Sequence, residues 1–427
     1  MIELGLARVH QLLARTPLPW RAIHVAGTNG KGSVCAYVSS MLEHYNNSQF
    51  RQQASQGRIK HGRFTSPHLI DRWDCITIDG NVVDKSIFED VEKQVLQTNE
   101  TGKIGASEFE LLTATAFSIF TKQKIDIAVI EVGMGGALDA TNVIGQRSQY
   151  DMNTSDPTAE GTFRPLPLIT GITSIGLDHQ SFLGDTIQKI AVQKAGILKP
   201  GVPAVYAADD ENATQTIIEQ AKSVGVSSHT QGVPHLVPVT ANTTPGNLWE
   251  LYQPLPEQLN RETLHTLNTP IQTRWPNGAI ASHLTWTALK VLERFDKEHS
   301  KEAAFNLFLD LTQIPDKTQW AGRLQLLSLE NLTGSAEPII LDGAHNAESA
   351  LVLSSFARNH TRGKPIVWVL AASKGKDLRK ILEILLRPGD KVHAVEFDKV
   401  DGMPWVQAMS SAEVAAGAQK IVGGKTM

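Results

Sequence analysis

The chain has little cysteine and no long apolar run. Only Cys35 and Cys75 occur in 427 residues. Two thiols are too few for a disulfide framework or a zinc cluster, and they fit a reducing compartment. No stretch approaches the roughly 20 consecutive apolar residues of a membrane-spanning helix. An excess of one charge is also missing: 40 Lys and Arg stand against 44 Asp and Glu, a net charge of −4. That excludes bulk attraction to nucleic acid or to an anionic membrane, so any anion-binding surface must be local. The first six residues, MIELGL, resemble neither a signal peptide nor an Arg- and Ser-rich transit peptide. A cytoplasmic monomer acting on small molecules is expected, with no nucleic-acid or membrane partner.

What is present is alternation. Hydrophobic residues make up 41% and charged residues 20% of the chain, ordinary for a globular protein, and the length suits two or three domains. Strand-like apolar runs at 22–26, 125–132, 166–175, 202–206, 338–341, 366–370 and 392–397 alternate with helical patterns such as 34–45 and 185–198. This predicts an α/β protein with a mainly parallel sheet. Three polar stretches interrupt it: 46–62 and 145–164 as surface loops, and 227–276 as an irregular β insertion. A boundary is expected near 314–319, where Pro315 and polar residues precede a fresh α/β series. The expected domains are 1–316 and 317–427.

The first strand runs directly into Gly27-Thr28-Asn29-Gly30-Lys31-Gly32-Ser33, and a helix follows. Strand, Gly-rich turn and helix aim backbone N–H groups and a helix N-terminus at phosphate. Lys31 would neutralise phosphate charge, and the Ser33 hydroxyl could ligate Mg²⁺. The strict G-x-x-x-x-G-K-[ST] pattern is not met: Val25 takes the first glycine position, and Gly32 separates Lys31 from Ser33. The bland alternative is a turn with a chance lysine. The flanking strand and helix disfavour it.

Open α/β sheets place ligands beyond the carboxyl ends of their strands. Ser66, Glu131, Asp178, His179, Asp342 and His345 all stand at such ends. Singly, each is explained by a solvated carboxylate, a cap or a turn. Together, after a phosphate loop, they suit a Mg²⁺ ion shared with nucleotide oxygens and water. Lys194 shares a helical stripe with Ile187 and Ile190, whereas Lys189 and Lys199 do not extend it. Two readings stand. A buried, neutral amine could take up CO₂ as a carbamate, or the apolar stem could lie on the core while the ammonium reaches water.

Seven segments occur in an order that resembles the dihydrofolate synthase/folylpolyglutamate synthase family, relatives of the Mur peptide ligases. They are HVAGTNGKGS (24–33), FTSPHL (64–69), EVGMGGALDATNV (131–143), TSIGLDHQSFLG (173–184), KAGILKPG (194–201), Gly322-Arg323 and LDGAHN (341–346). The resemblance implies a Mur ligase-like ATPase domain followed by a smaller Rossmann-like domain. It implies that 27–33 binds ATP, with Lys31 catalytic, and that Ser33, Ser66, Glu131 and His179 serve the metal. Lys194 would be the carbamylated lysine (N6-carboxylysine). Arg323 and Asp342 would contact nucleotide, and His345 would face the reacting groups. Phe109, Leu138, Asp139 and Ala140 would line the pterin pocket.

Three positions depart from the family pattern. Residues 71–76 read DRWDCI, Ala137 stands where bacterial relatives usually carry Arg, and 277–292 offers only Asn277 and His283 as nucleotide contacts. The implied activity is an ATP-dependent joining of a pteroate carboxylate to L-glutamate through an acyl phosphate. The DRWDCI segment, the N-terminus and Asn29 lean toward fungal dihydrofolate synthase, acting on dihydropteroate. Folylpolyglutamate synthase, a bifunctional enzyme, and more remotely a phosphate-loop NTPase switch, are the alternatives.

Overall fold

The computed structural model describes residues 5–53, 56–146, 164–207, 210–231, 275–295, 301–403 and 406–423. Its contacts divide the chain into two units, Met1–Thr318 and Gln319–Met427.

The first unit opens with helix α1 (Ala7–Leu12), strand β1 (Arg21–Ala26), helices α2 (Lys31–Asn47) and α3 (Gln49–Gln53) and strand β2 (His61–Phe64). Strands β3 (Ile76–Ile78) and β4 (Asn81–Val82) follow, then α4 (Lys85–Thr101), α5 (Glu108–Lys122) and β5 (Ile127–Glu131). After them come β6 (Ile169–Ile172), α6 (Gln180–Leu183), α7 (Ile187–Ala195), β7 (Ala204–Tyr206), α8 (Glu211–Val224), β8 (His229–Gln231), α9 (Trp275–Val291) and α10 (Lys301–Lys317). One sheet takes the order β4-β3-β2-β5-β1-β6-β7-β8. From β2 to β8 every pairing is parallel, and β3 runs antiparallel to both its neighbours.

Both faces of the sheet are covered, which is why β5 reads as an apolar run up to Glu131 and β1, after Arg21, as one interrupted only by His24. On one face α2 buries Val34, Val38, Met41, Leu42 and Tyr45 together with Leu284 and Leu289 of α9 and Leu307 and Leu311 of α10. On the other, Phe117 and Phe120 of α5 pack with Phe88 of α4, Leu12 of α1 and Trp20. Each such fully buried side chain contributes about 1.5–3 kcal/mol, which holds the strand ends in fixed places.

The observed elements differ in detail from what the sequence suggests. The 46–62 stretch is not simply loop: α2 continues to Asn47, α3 follows, and β2 begins at His61. Among its polar side chains, Asn46 and Arg51 bond to backbone, while Asn47, Gln52, Gln53 and Arg58 are exposed. The Asn46 amide brackets Ile59, donating to its carbonyl and accepting from its N–H, both at 2.8 Å. The β3–β4 hairpin was not expected, although Asp79-Gly80 signals it. Both residues have positive φ, 47° and 79°, as a two-residue type I′ turn requires. Pro315 sits inside α10, and the two units divide between Thr318 and Gln319, just past the end of that helix. Most of the 145–164 and 227–276 stretches lies outside the described residues. Within them, Arg164 is buried and donates to the Leu13 carbonyl at 3.4 Å.

The second unit carries β9 (Gln325–Leu327), α11 (Glu330–Thr333), β10 (Ile339–Leu341), α12 (Ala347–His360), β11 (Val367–Leu370), α13 (Leu378–Leu385), β12 (Lys391–Ala394) and α14 (Ser411–Val422). Strands β9 and β10 pair antiparallel, and β11 and β12 pair parallel. Its core gathers Leu353, Trp368, Leu382, Leu385 and Val392.

Candidate active site

The loop between β1 and α2 is sewn to the end of β6. The Thr28 N–H donates to the Ser174 carbonyl at 2.7 Å, and Thr173 Oγ donates to the Asn29 carbonyl at 2.7 Å. Gly27 has φ 149°, and a Cβ there would fall 1.7 Å from Thr173 Oγ. Gly30, the N-terminal cap of α2, has φ 87°, and a Cβ would meet the Asn277 side-chain amide oxygen at 2.3 Å. Side chains are therefore excluded by backbone conformation and by space at once. Lys31 is the first residue of α2, and its Nζ donates to the Thr28 carbonyl at 3.2 Å.

Asn277, offered by the sequence only as a substitute contact, thus lies on the phosphate loop. His283 is more than a turn further along α9. It is buried, with Nδ1 on the Ala279 carbonyl at 3.2 Å, and burial lowers its pKa.

Lys194 resolves the two readings of its stripe toward burial. It is 4% exposed, and its Nζ donates to the Gly27 carbonyl at 2.6 Å. Burial, reinforced by the nearby Lys31 charge, lowers its pKa to about 7. Near neutral pH a large share of these amines is therefore unprotonated, about half when pH equals pKa.

Glu131 ends β5, is 5% exposed, and accepts the Ser66 N–H at 3.0 Å. The fold thus joins these two residues. Ser33 lies half-buried in the first turn of α2. His179 is exposed, caps α6 at φ 51°, and has Nε2 3.9 Å from the Asp178 carboxylate. Among the described residues no three His, Cys, Asp or Glu side chains gather as a metal cage. Glu131 and the Ser33 and Ser66 hydroxyls are oxygen donors of the kind Mg²⁺ takes, since it commonly binds one or two carboxylates and fills its remaining positions with phosphate oxygens and water.

The expected acceptor residues surround the end of β5. Phe109 stacks on Phe64 with centroids 6.1 Å apart, and a Cβ on Gly133 would meet its ring at 2.3 Å. Leu138 is 46% exposed, whereas Asp139 and Ala140 are buried. Asp139 accepts the Met134 N–H at 2.8 Å and the Thr141 hydroxyl at 2.5 Å, and burial raises its pKa. It shapes the loop from within and does not present its carboxylate to solvent.

The departing DRWDCI segment has a clear local task. The Asp74 carboxylate accepts the N–H groups of Leu69, Ile70 and Asp71 at 3.1, 2.7 and 3.0 Å. Arg72 reaches Glu92 at 2.7 Å and Glu108 at 3.6 Å. The loop after the SPH motif is thereby fixed with Leu69 and Ile70 exposed at 51% and 80%.

Within the second unit, Asp342 accepts N–H groups from Leu324 at 2.7 Å and Ala344 at 2.8 Å. Burial raises its pKa. Arg323 donates to the Gly322 carbonyl at 3.0 Å, and a Cβ on Gly343 would meet its guanidinium at 2.4 Å. His345 is exposed, with Nδ1 donating to the Gly343 carbonyl at 2.9 Å. These three residues form one local group on the β10–α12 turn and its neighbour.

Three residues near the site were missed from sequence. Arg63 on β2 is largely buried near Glu131 and Cys35, and burial draws its guanidinium down to about 10. His24 on β1 is fully buried, with Nε2 2.9 Å from Thr141 Oγ. That hydroxyl donates to Asp139, so His24 must be the donor in the first contact. Burial, with the Lys199 charge adding to it, pushes His24 down to about 3. Lys199 is the third, 6% exposed. It falls outside helical periodicity because it follows the end of α7. The repeated Lys spacing in KAGILK was the available signal.

Fold and site together define a phosphate-loop enzyme of the α/β class with a buried lysine against its nucleotide loop. Residues 325–426 match the family model described as dihydrofolate synthetase, C-terminal domain. Over 414 residues the chain is 36% identical to a probable dihydrofolate synthetase of Schizosaccharomyces pombe, covering 96% of this chain and 85% of that one. Over 425 residues it is 32% identical to a dihydrofolate synthetase of Saccharomyces cerevisiae, covering 97% and 86%. Its fold is similar to a solved bifunctional folylpolyglutamate synthase/dihydrofolate synthase with Mn, AMPPNP and L-glutamate bound. The TM-score is 0.65 at 24% identity, covering 100% of this chain and 86% of that one. The chain belongs to the dihydrofolate synthase/folylpolyglutamate synthase family of ATP-dependent ligases. No helix among the described residues is long and apolar enough to cross a membrane.

Proposed function

We propose that this enzyme joins the carboxylate of 7,8-dihydropteroate to the amine of L-glutamate, using ATP and a divalent cation. One observation carries the reading: Lys194 is buried with its Nζ on the carbonyl of the phosphate loop. A buried amine of lowered pKa at this place supports the N6-carboxylate that the family resemblance implies for a ligase, and a nucleotide switch would need no such group. The similarity to two fungal dihydrofolate synthetases over nearly the whole chain supports dihydropteroate as the acceptor.

The acceptor carboxylate attacks the γ-phosphorus of ATP, and the bond to ADP breaks. The glutamate amine then attacks the acyl carbon, phosphate leaves with the bonding pair, and the nitrogen loses a proton. Two anions meet in the first step, so neutralising charge is the main task. Lys31 and the N-terminus of α2 are assigned to the phosphates. Ser33, Ser66, Glu131 and His179 would hold Mg²⁺, which when bound supplies Lewis-acid neutralisation of phosphate charge. Asn277 and, from the second unit, Arg323 and Asp342 are assigned to the nucleotide, and His345 to the reacting groups. Phe109, Leu138, Asp139 and Ala140 are assigned to the acceptor. Lys194, as a neutral amine, would attack CO₂ and lose one proton, leaving an N6-carboxylate beside the loop.

The test is ADP release from the full chain with MgATP, in four mixtures: no acceptor, glutamate alone, dihydropteroate with glutamate, and tetrahydrofolate with glutamate. Release only with dihydropteroate and glutamate is expected. Release that needs tetrahydrofolate would move the reading to tail extension. Release without any acceptor would overturn a ligase.

A further inference from the structure

A clamp lies behind the acceptor loop and involves no residue assigned above to chemistry. Asn142, 2% exposed, sits in the 3₁₀ turn after Asp139. Its Nδ2 donates to the Ala137 carbonyl at 3.0 Å and to the Gly196 carbonyl at 3.1 Å. The first carbonyl belongs to the acceptor loop, and the second to the turn that ends α7 just after Lys194. Its Oδ1 accepts from Lys199 Nζ at 2.7 Å, and its own carbonyl lies 3.5 Å from the same nitrogen.

Lysine can only donate, so its ammonium requires the amide oxygen on that side and directs both amide hydrogens at the two carbonyls. The backbones so joined touch directly. Ala137 N–H donates to the Gln193 carbonyl at 2.8 Å. A Cβ on Gly136 would meet that same carbonyl at 2.6 Å, and one on Gly196 would meet Ala137 Cβ at 2.4 Å. Burial of an ammonium is unfavourable unless its partners hold it, and here burial lowers the Lys199 pKa to about 8.

We propose that Lys199 is a positioning residue: by orienting Asn142 it locks the acceptor loop onto the turn carrying Lys194, and so fixes where the pteroate carboxylate lies relative to that lysine. The proposal rests on the acceptor reading above. It predicts a larger effect on the acceptor side, because the clamp's own bonds end on the acceptor loop and the α7 turn and meet the phosphate loop only through the Lys194 bond to Gly27.

The experiment compares the full chain with Lys199→Met and Lys199→Arg. In Lys199→Met, hydrogen exchange at the Ala137 amide should rise ~10-fold or more while α2 amides stay unchanged. The KM for dihydropteroate should rise ~10-fold with the KM for ATP within ~2-fold, and Lys199→Arg should recover most of the loss. Should Lys199→Met not fold, Asn142→Asp keeps an acceptor for Lys199 and removes both donors, and the same readouts apply. Unchanged exchange, an unchanged acceptor KM, or an equal rise in both KM values overturns the proposal. Exchange does not depend on which substrate is used. A loosened loop in a protein without pteroate-dependent turnover would uphold the clamp and reject the functional reading.

Discussion

The ammonium nitrogen of Lys194 and the carbonyl oxygen of Gly27 lie 2.6 Å apart although 167 residues separate them in sequence. One hydrogen bond thus couples the last turn of α7 to the start of the nucleotide loop. Burial lowers the pKa of Lys194 to about 7, so near neutral pH the nitrogen that donates this bond is present both as ammonium and as the neutral amine that the proposed carboxylation requires.

Replacing Lys194 with Met removes both forms. Below pH 7 the folded state holds a buried charge that the unfolded chain, titrating near 10.5, carries at no cost. The destabilisation is full below the folded pKa and disappears as pH rises through the unfolded one. Lys194→Met should therefore gain about 1–3 kcal/mol at pH 6 and less at pH 9, set against loss of the bond to Gly27. Chemical denaturation at both pH values checks it. Ligation should fall by about 100-fold or more.

Carboxylation of Lys194 should be visible directly. Lys194→Ala is expected to regain activity with millimolar formate or acetate, and the wild-type activity of CO₂-depleted enzyme should return with bicarbonate at pH 8 but poorly at pH 6, because protonated amine does not attack CO₂. Absence of both effects, and of added mass at Lys194, would remove the carbamate.

Lys31→Ala and Glu131→Ala should each lower kcat by about 1000-fold or more with the circular dichroism spectrum intact. Lys31 Nζ donates to the Thr28 carbonyl, within the loop it serves, and Glu131 accepts the Ser66 N–H at the end of its strand. Glutamate-dependent ADP release at a near-normal rate in either variant would remove its assigned role.

Gly30→Ala should raise the KM for ATP by about 10-fold or more, because strain at positive φ costs about 1–2 kcal/mol and the new methyl overlaps Asn277. Adding Asn277→Ala relieves the overlap and leaves the strain. The double variant should recover only part of the ATP affinity, which steady-state kinetics can resolve.

Asp74→Ala removes the common acceptor of three consecutive N–H groups. The acceptor KM should rise several-fold, with a stability loss of about 1–2 kcal/mol and little change in the ATP KM. Equal effects on both substrates would detach this loop from acceptor binding.

Much of this was legible before any coordinates. Strands β1, β5 and β6 announce themselves because sheet strands covered on both faces are mostly apolar. Lys194 was placed by helical periodicity beside Ile190. What sequence could not supply was partnership across distance. Asn277 meets Gly30 only because α9 packs along α2, and no local pattern encodes that. Arg63 and His24 are polar residues inside strands whose burial depends on covering helices. The β3–β4 hairpin was a different kind of omission, since Asp79-Gly80 is a strong local turn signal.

The carbonyl groups of the nucleotide loop have one more consequence. Gly27 faces Lys194, Thr28 faces Lys31, Asn29 faces the hydroxyls of Thr173 and Ser174, and Gly30 accepts the Val34 N–H. Four consecutive oxygens are thus screened by protein donors before a ligand arrives. The parts of a backbone that repel a phosphate are already neutralised, and anion selectivity becomes a property of how a few peptide planes are turned. A protein with a surplus of acidic residues can in this way keep one spot hospitable to a triphosphate.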